Sequence, residues 1–426
     1  MNAFHNNTGN VAFPYGIFRN LSGEQTQVES DWYGARLPDA DAVNENYSMY
    51  ILPMANDMGA HFAGEMRRLT SFIKQLEIPV VVIGIGGAFS IDEKFDSSFT
   101  FDRTVKDFIK AVLDRSASVG LRGEISGRYL KHLGFQEGRH FEVIGDPTLY
   151  DLGPELSIRD VPDLTDAKIT YNMTPKAPQS ALQFLTKIAA TYTSSVYIPQ
   201  DIGEFCKYYY GTIDPNANMA RETVPNFPKT LTDTPYATGR IKFFFDFISW
   251  VNYMAEQDFS IGTRIHGNII PTYAGIPSLT LAYGSRLKEL AEYHNLPHLD
   301  ASAINPDADL SDLVSKFDFN SPKNVHESNF EHFTSFLDKN GLKHHYKDTE
   351  RSHLPFDNAT NGIKQQNLIP ITAVTDPDQI QARVAEGFEI LQHKIVSQKT
   401  RLDRLKNEVI ERRAEMKSVQ SIVKTW

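Results

Sequence analysis

Cysteine is nearly absent: Cys206 is the only one in 426 residues. No intramolecular disulfide can form, nothing points to an oxidising compartment, and Cys206 itself reads as a small buried hydrophobe. Positive charge is also short. The formal net charge of −10 leaves no overall field to attract a phosphate backbone, so nucleic acid is not an expected partner. No apolar run approaches the length of a membrane span. The opening stretch MNAFHNNTGNVAFPYG lacks the basic region and apolar core of a secretory signal. A cytoplasmic protein is expected.

What is there is an alternation of short apolar runs and amphipathic segments. Tyr47–Met54 and Ile78–Gly87 read as strands, and between them Phe62, Met66, Leu69, Phe72, Ile73 and Leu76 recur at helical spacing. Helix TVKDFIKAVLDRS, strand ASVGLRG, helix EISGRYLKHLGF and strand FEVIGDPTLY follow, the last ending at Asp146–Pro147. Strands alternating with helices imply a mainly parallel sheet. The polar stretch 151–166, with Pro154 and Pro162, reads as a linker. A second series follows, with AKITYNMTP, SSVYIPQD, DFSIGTRIHG and IPSLTLAY as its strands. The expected fold class is α/β, with two Rossmann-like domains at 1–160 and 161–345 facing a cleft, and a helical extension at 376–426. The stretch Lys207–Gly239 is expected to be an insertion or loop, facing a ligand or simply packed.

In such a fold ligands bind outside the carboxyl ends of the strands. Four stretches should converge there. Asn7 and Gly9, in NNTGN, precede an expected helix whose free N–H groups can hold an anion. Gly86, in GIGG, allows a tight turn or a close approach to the backbone, although GIGG is no dinucleotide fingerprint. Arg122 ends a strand in GLRGE, where a surface pair with Glu124 is the plainer reading. Arg264 and His266 lie in GTRIHG. Read as extended chain, residues two apart point the same way, so both would face one site while Ile265 turns to the core. Arginine suits a carboxylate or phosphate, and histidine suits proton transfer.

Strand–LRGEISGRYLKHLGF–VIGDP, followed by strand–TRIHG, AGIPSLTLAY and LAEYHNLP, resembles the polysaccharide pyruvyl transferases over about residues 2–297. That resemblance implies a two-domain, GT-B-like fold and phosphoenolpyruvate as donor. The expected product is a pyruvate ketal on two hydroxyls of a sugar in a surface glycan or its lipid-linked precursor. It implies donor-binding roles for Arg122, Arg264 and Arg286, an acid role for His266, and cleft positions for Asn7, Gly9, Asn56, Gly86 and Tyr283. No cofactor or metal is expected, since arginines supply the electrostatic stabilisation. Asn10 stands where the family commonly has Asp, LPMAND replaces a glycine-rich loop, and Arg286 replaces Lys. The alternative is a GT-B glycosyltransferase using a nucleotide sugar.

The tail carries Val384, Phe388, Leu391, Ile395, Leu402, Leu405, Val409, Met416, Val419 and Val423 in steps of four and three, broken by Gln398 and Arg412. That is a heptad stripe. From Lys394 to Trp426 nine Lys/Arg stand against four Asp/Glu, a net of +5. A homo-oligomeric coiled coil is expected first and peripheral contact with an anionic membrane second, with a helix folded back on its own domain as the remaining reading. His344, His345 and His353, near Asp348 and Glu350, match no standard zinc spacing.

Overall fold

The computed structural model describes residues 7–23, 25–30, 37–212, 224–347, 354–360, 362 and 368–423, with no side-chain description of 408, 409 and 411–423. Two parallel sheets organise it. In the first, β1 (Tyr50–Pro53) pairs with β2 (Val80–Ile83), and β3 (Val119–Leu121) with β4 (Phe141–Val143). A bridge between Ile85 and Leu121 joins the two pairs. The second sheet takes β5 (Ile169–Asn172), β6 (Val196–Tyr197), β7 (Phe259–Gly262), β8 (Ser278–Ala282) and β9 (His298–Asp300) in the order β6-β5-β7-β8-β9, all parallel. Alternation explains the VVVI run of β2. Val80 and Val82 pack with Leu69, Ile73, Phe108 and Ile109 on one face, while Val81 and Ile83 meet Phe13, Ile17, Phe333 and Phe336 on the other.

Several expectations change. Phe330, Phe333, Phe336 and Leu337 lie on helix Lys323–Lys339, which the sequence assigned to the second half. They cover Val81, Ile83 and Ile144 of the first sheet instead, because that face would otherwise stay apolar and open. Asn340 fixes the same return by accepting from the N–H groups of Ala117 and Ser118, each at 3.1 Å. The stretch read as a linker is packed, with Asp151, Ile158 and Leu164 buried. Lys207–Gly239 is in part core. Cys206–Tyr210 form a π-helical turn, and Tyr208, Tyr210, Phe227 and Tyr236 join the second core; residues 213–223 lie outside the described part. Cys206 is buried, as read.

The tail is one helix, Pro377–Val423. Its first turns dock on the π-helical turn through Arg383, Gly387 and Ile390. The Arg383 guanidinium sits 4.1 Å from the centroid of the Tyr209 ring, and a Cβ at Gly387 would come within 2.7 Å of Tyr210 Cβ. This docked face is one residue out of step with the heptad stripe. Phe388, Ile395, Leu402 and Leu405 are therefore exposed, while Val409, Arg412, Met416, Val419 and Val423 have no described side chains. Among the described residues no helix is long and apolar enough to cross a membrane.

Candidate functional site

The strand ends of the first sheet supply Asn56 and Asp57 after β1, Gly86 and Gly87 after β2, Arg122 after β3 and Asp146 after β4. Arg122 is 2% exposed, too deep for the surface pair with Glu124. Its Nε donates to Glu289 Oε1 at 2.6 Å, and its Nη2 donates to Asn56 Oδ1 at 2.6 Å and to the Gly87 carbonyl at 2.9 Å. Its Nη1 is buried with no hydrogen-bond partner among the described residues. Gly86 is glycine for a reason the sequence did not give. A Cβ there would lie 2.2 Å from Arg122 Nε, so the backbone yields to a side chain of this chain. Asn56 belongs to this arrangement directly.

His266 opens helix His266–Tyr273 and is 3% exposed. Its Nε2 lies 3.5 Å from Asp146 Oδ2. Burial opposes ionisation of Asp146, but the hydrogen bond and charge of His266, with Thr148, hold its carboxyl at about 2. Burial lowers the His266 pKa; Asp146 pulls it upward, and Arg286 and Arg122 push it further down. The imidazole is therefore neutral at pH 7, held beside a carboxylate. Arg286 lies on helix Ser285–Tyr293, and its Nε is buried without a hydrogen-bond partner among the described residues. Burial first, then the charge of Arg122, pushes its guanidinium down to about 10, so it stays cationic at neutral pH. Asp57 feels both arginines. Burial raises its pKa against an N–H from Ala55 at 2.8 Å and against those cations. Tyr283, half-buried, follows the last residue of β8 and lies near Arg286.

Arg264 and His266 do not share a face. β7 ends at Gly262 and Ile265 is already helical, so extended-chain alternation fails between them. Ile265 does turn into the core. The Arg264 side chain instead donates from Nε to the Met173 carbonyl at 2.8 Å, and its Nη2 lies 3.5 Å from Glu204 Oε2. Its backbone N–H donates to Asn172 Oδ1 at 2.7 Å. The N-terminal segment uses its N–H groups internally: Thr8 donates to the Gln200 carbonyl at 2.7 Å, and Gly9 to Asn7 Oδ1 at 2.9 Å. Asn7 thus caps a 3₁₀ turn, and Gly9 makes room for Gln200, whose Oε1 would be 2.4 Å from a Cβ. Asn6 lies outside the described residues. His344 is within 3.2 Å of Asp338, and His353, Asp348 and Glu350 lie outside the described part. Among the described residues no group of three or more His, Cys, Asp or Glu could hold a metal ion.

A model of the family described as polysaccharide pyruvyl transferase matches residues 7–285, from the Asn7 cap to the start of the helix that carries Arg286. The chain belongs to that family. A comparison with curated protein sequences gives no match. Among solved structures it is similar to a UDP-GlcNAc 2-epimerase from Neisseria meningitidis bound to UDP-GlcNAc, with 11% identity, 71% of this chain and 79% of that one covered, and a TM-score of 0.40. A functionally uncharacterized protein from Klebsiella pneumoniae is similar at 14% identity, with 69% and 88% covered and a TM-score of 0.34.

In this pyruvyl transferase family member, sequence reasoning missed Glu289, Asp146, Asp57 and Glu204. Asp146 and Asp57 carried a signal, since VIGDP and LPMAND each end a strand as LRG does. Glu289 had none: its role depends on a contact 167 residues away in the chain.

Proposed function

We infer that this chain transfers the enolpyruvyl group of phosphoenolpyruvate onto two hydroxyls of a glycan sugar, leaving a pyruvate ketal and releasing phosphate. One observation carries the reading. Arg122 lies close enough to bear on the charge of Arg286, and among the described residues each keeps a buried N–H donor without a partner. Two neighbouring cations, each with an unused buried donor, are costly unless an anion completes them. Phosphoenolpyruvate offers a carboxylate and a phosphate, and guanidinium forks suit both.

In the reaction, C3 of the enol gains a proton and C2 becomes oxocarbenium-like. One sugar hydroxyl bonds to C2 and loses its proton, the C2–O bond to phosphate breaks, and the second hydroxyl closes the ketal with loss of its own proton. His266 supplies the proton to C3. It is neutral without donor, because burial and the two arginines disfavour its charge. The donor's negative charge offsets those cations and raises the imidazole pKa, so protonation accompanies donor binding. Asp146 stays ionised and orients the ring.

Thermal unfolding with phosphoenolpyruvate, UDP-sugars and GDP-sugars tests this reading. Phosphoenolpyruvate should stabilise the protein by about 2.7 kcal/mol at a hundred times its Kd. The shift should vanish in Arg122→Ala and Arg286→Ala and persist in His266→Asn. Stabilisation by a nucleotide sugar and none by phosphoenolpyruvate would instead make the chain a glycosyltransferase.

A further inference from the structure

Glu289 is 1% exposed and belongs to helix Ser285–Tyr293 of the second half, yet it spends its carboxylate on the first half. Oε1 accepts from Arg122 Nε at 2.6 Å and from Ser126 Oγ at 3.1 Å, and Oε2 accepts from the Ser126 N–H at 2.9 Å. The last contact sits at the start of helix Glu124–His132, where a negative charge suits the exposed N–H groups. Gly123 is cut away to admit it: a Cβ would lie 2.5 Å from Glu289 Cβ. With Nε held by Glu289 and Nη2 held by Asn56 and Gly87, the nitrogen of Arg122 left without a partner among the described residues is Nη1.

We propose that Glu289 is a positioning residue that aims Nη1 of Arg122 at the donor anion, so that one half of the molecule sets the hook carried by the other. This rests on the donor reading of Arg122. The same helix starts with Ser285, whose Oγ accepts from the Phe89 N–H at 3.0 Å and donates to the Gly87 carbonyl at 3.2 Å, and its next residue is Arg286. One helix thus brings the second arginine and the alignment of the first together.

The sign of one measurement separates this role from simple electrostatics. Glu289→Gln removes a negative charge beside the site, so Coulomb's law alone predicts tighter anion binding. Positioning predicts weaker binding, because the amide turns an NH2 toward one of two N–H donors and Arg122 is released. Calorimetric titration of the full chain with phosphoenolpyruvate, and separately with inorganic phosphate, should show a Kd raised about tenfold or more in Glu289→Gln, the loss of one charge-assisted bond. Glu289→Asp, which keeps the charge but draws the carboxylate back from Arg122 Nε, should weaken binding in the same direction and decides the matter alone if Glu289→Gln does not fold. Glu124→Gln, on an exposed residue in the first turn of the same helix as Ser126, should bind within twofold of wild type. Unchanged or tighter binding in the folded Glu289 variant overturns the proposal, as does a loss that Glu124→Gln shares equally. Wild-type protein that binds phosphate but not phosphoenolpyruvate refutes the donor reading and leaves the positioning test readable with phosphate. Binding of neither overturns both.

Discussion

Arg264→Ala should cost stability more than donor affinity. The Arg264 side chain reaches Glu204, which is 6% exposed, at 3.5 Å. Burial raises the pKa of Glu204, and Arg264 is the foremost group opposing that rise. Removing one partner of a buried pair costs about 3–5 kcal/mol in general. Here the pair is long, and Glu204 keeps the Tyr197 hydroxyl as donor and an N–H from Asp201 at 3.3 Å. It can also take up a proton. About 2–3 kcal/mol is therefore expected near pH 8, and less at pH 5.5. The sign follows from the raised pKa: a carboxyl that prefers its proton when folded loses stability as pH rises, and losing the cation steepens that loss. Urea unfolding followed by the fluorescence of buried Trp250 at the two pH values measures the effect, and a phosphoenolpyruvate titration of the folded variant should give a Kd within threefold of wild type. A variant as stable as wild type that no longer binds the donor would show that Arg264 acts as a donor ligand and not as a brace for Glu204.

Gly86→Ala sets a methyl against a guanidinium that Glu289, Asn56 and Gly87 hold in place, so donor affinity should fall about tenfold at a stability cost of roughly 1–3 kcal/mol; an unchanged Kd would mean Arg122 has other room. His294 accepts an N–H from Asp146 at 2.8 Å, and burial lowers its pKa to about 4. Its folded pKa lies below the unfolded value near 6.5. Its contribution, up to about 3 kcal/mol, is thus complete above that value and is lost as pH falls toward 4. The difference between wild type and His294→Gln in unfolding free energy should narrow across that window, and a flat difference would refute the assignment.

The parallel strands were legible because their apolar runs are continuous, and the positions of Arg122, His266 and Arg286 were legible because each follows such a run. The pairing was not. Alternation could be applied to Arg264 and His266 only if the chain stayed extended, and nothing in GTRIHG announces that helix begins within it. Gly123 and Gly86 could be seen as glycines but not as the clearances they provide, since the groups that need the space come from Glu289 and from Arg122. The tail stripe suggested a seam, yet the docked face is the neighbouring one, where Gly387 lets the helix approach Tyr210 closely.

The return of helix Lys323–Lys339 to the first sheet means that the chain passes between the halves twice, once after β4 and again before this helix. A cut after the first passage would not release a self-sufficient piece. Residues 1–160 alone would bare Val81, Ile83 and Ile144, the side chains that Phe333 and Phe336 now cover. The early half of the polypeptide thus leaves one of its apolar faces open until most of the remainder has been made. During synthesis Arg122 waits as well, in its case for Glu289, 167 residues downstream.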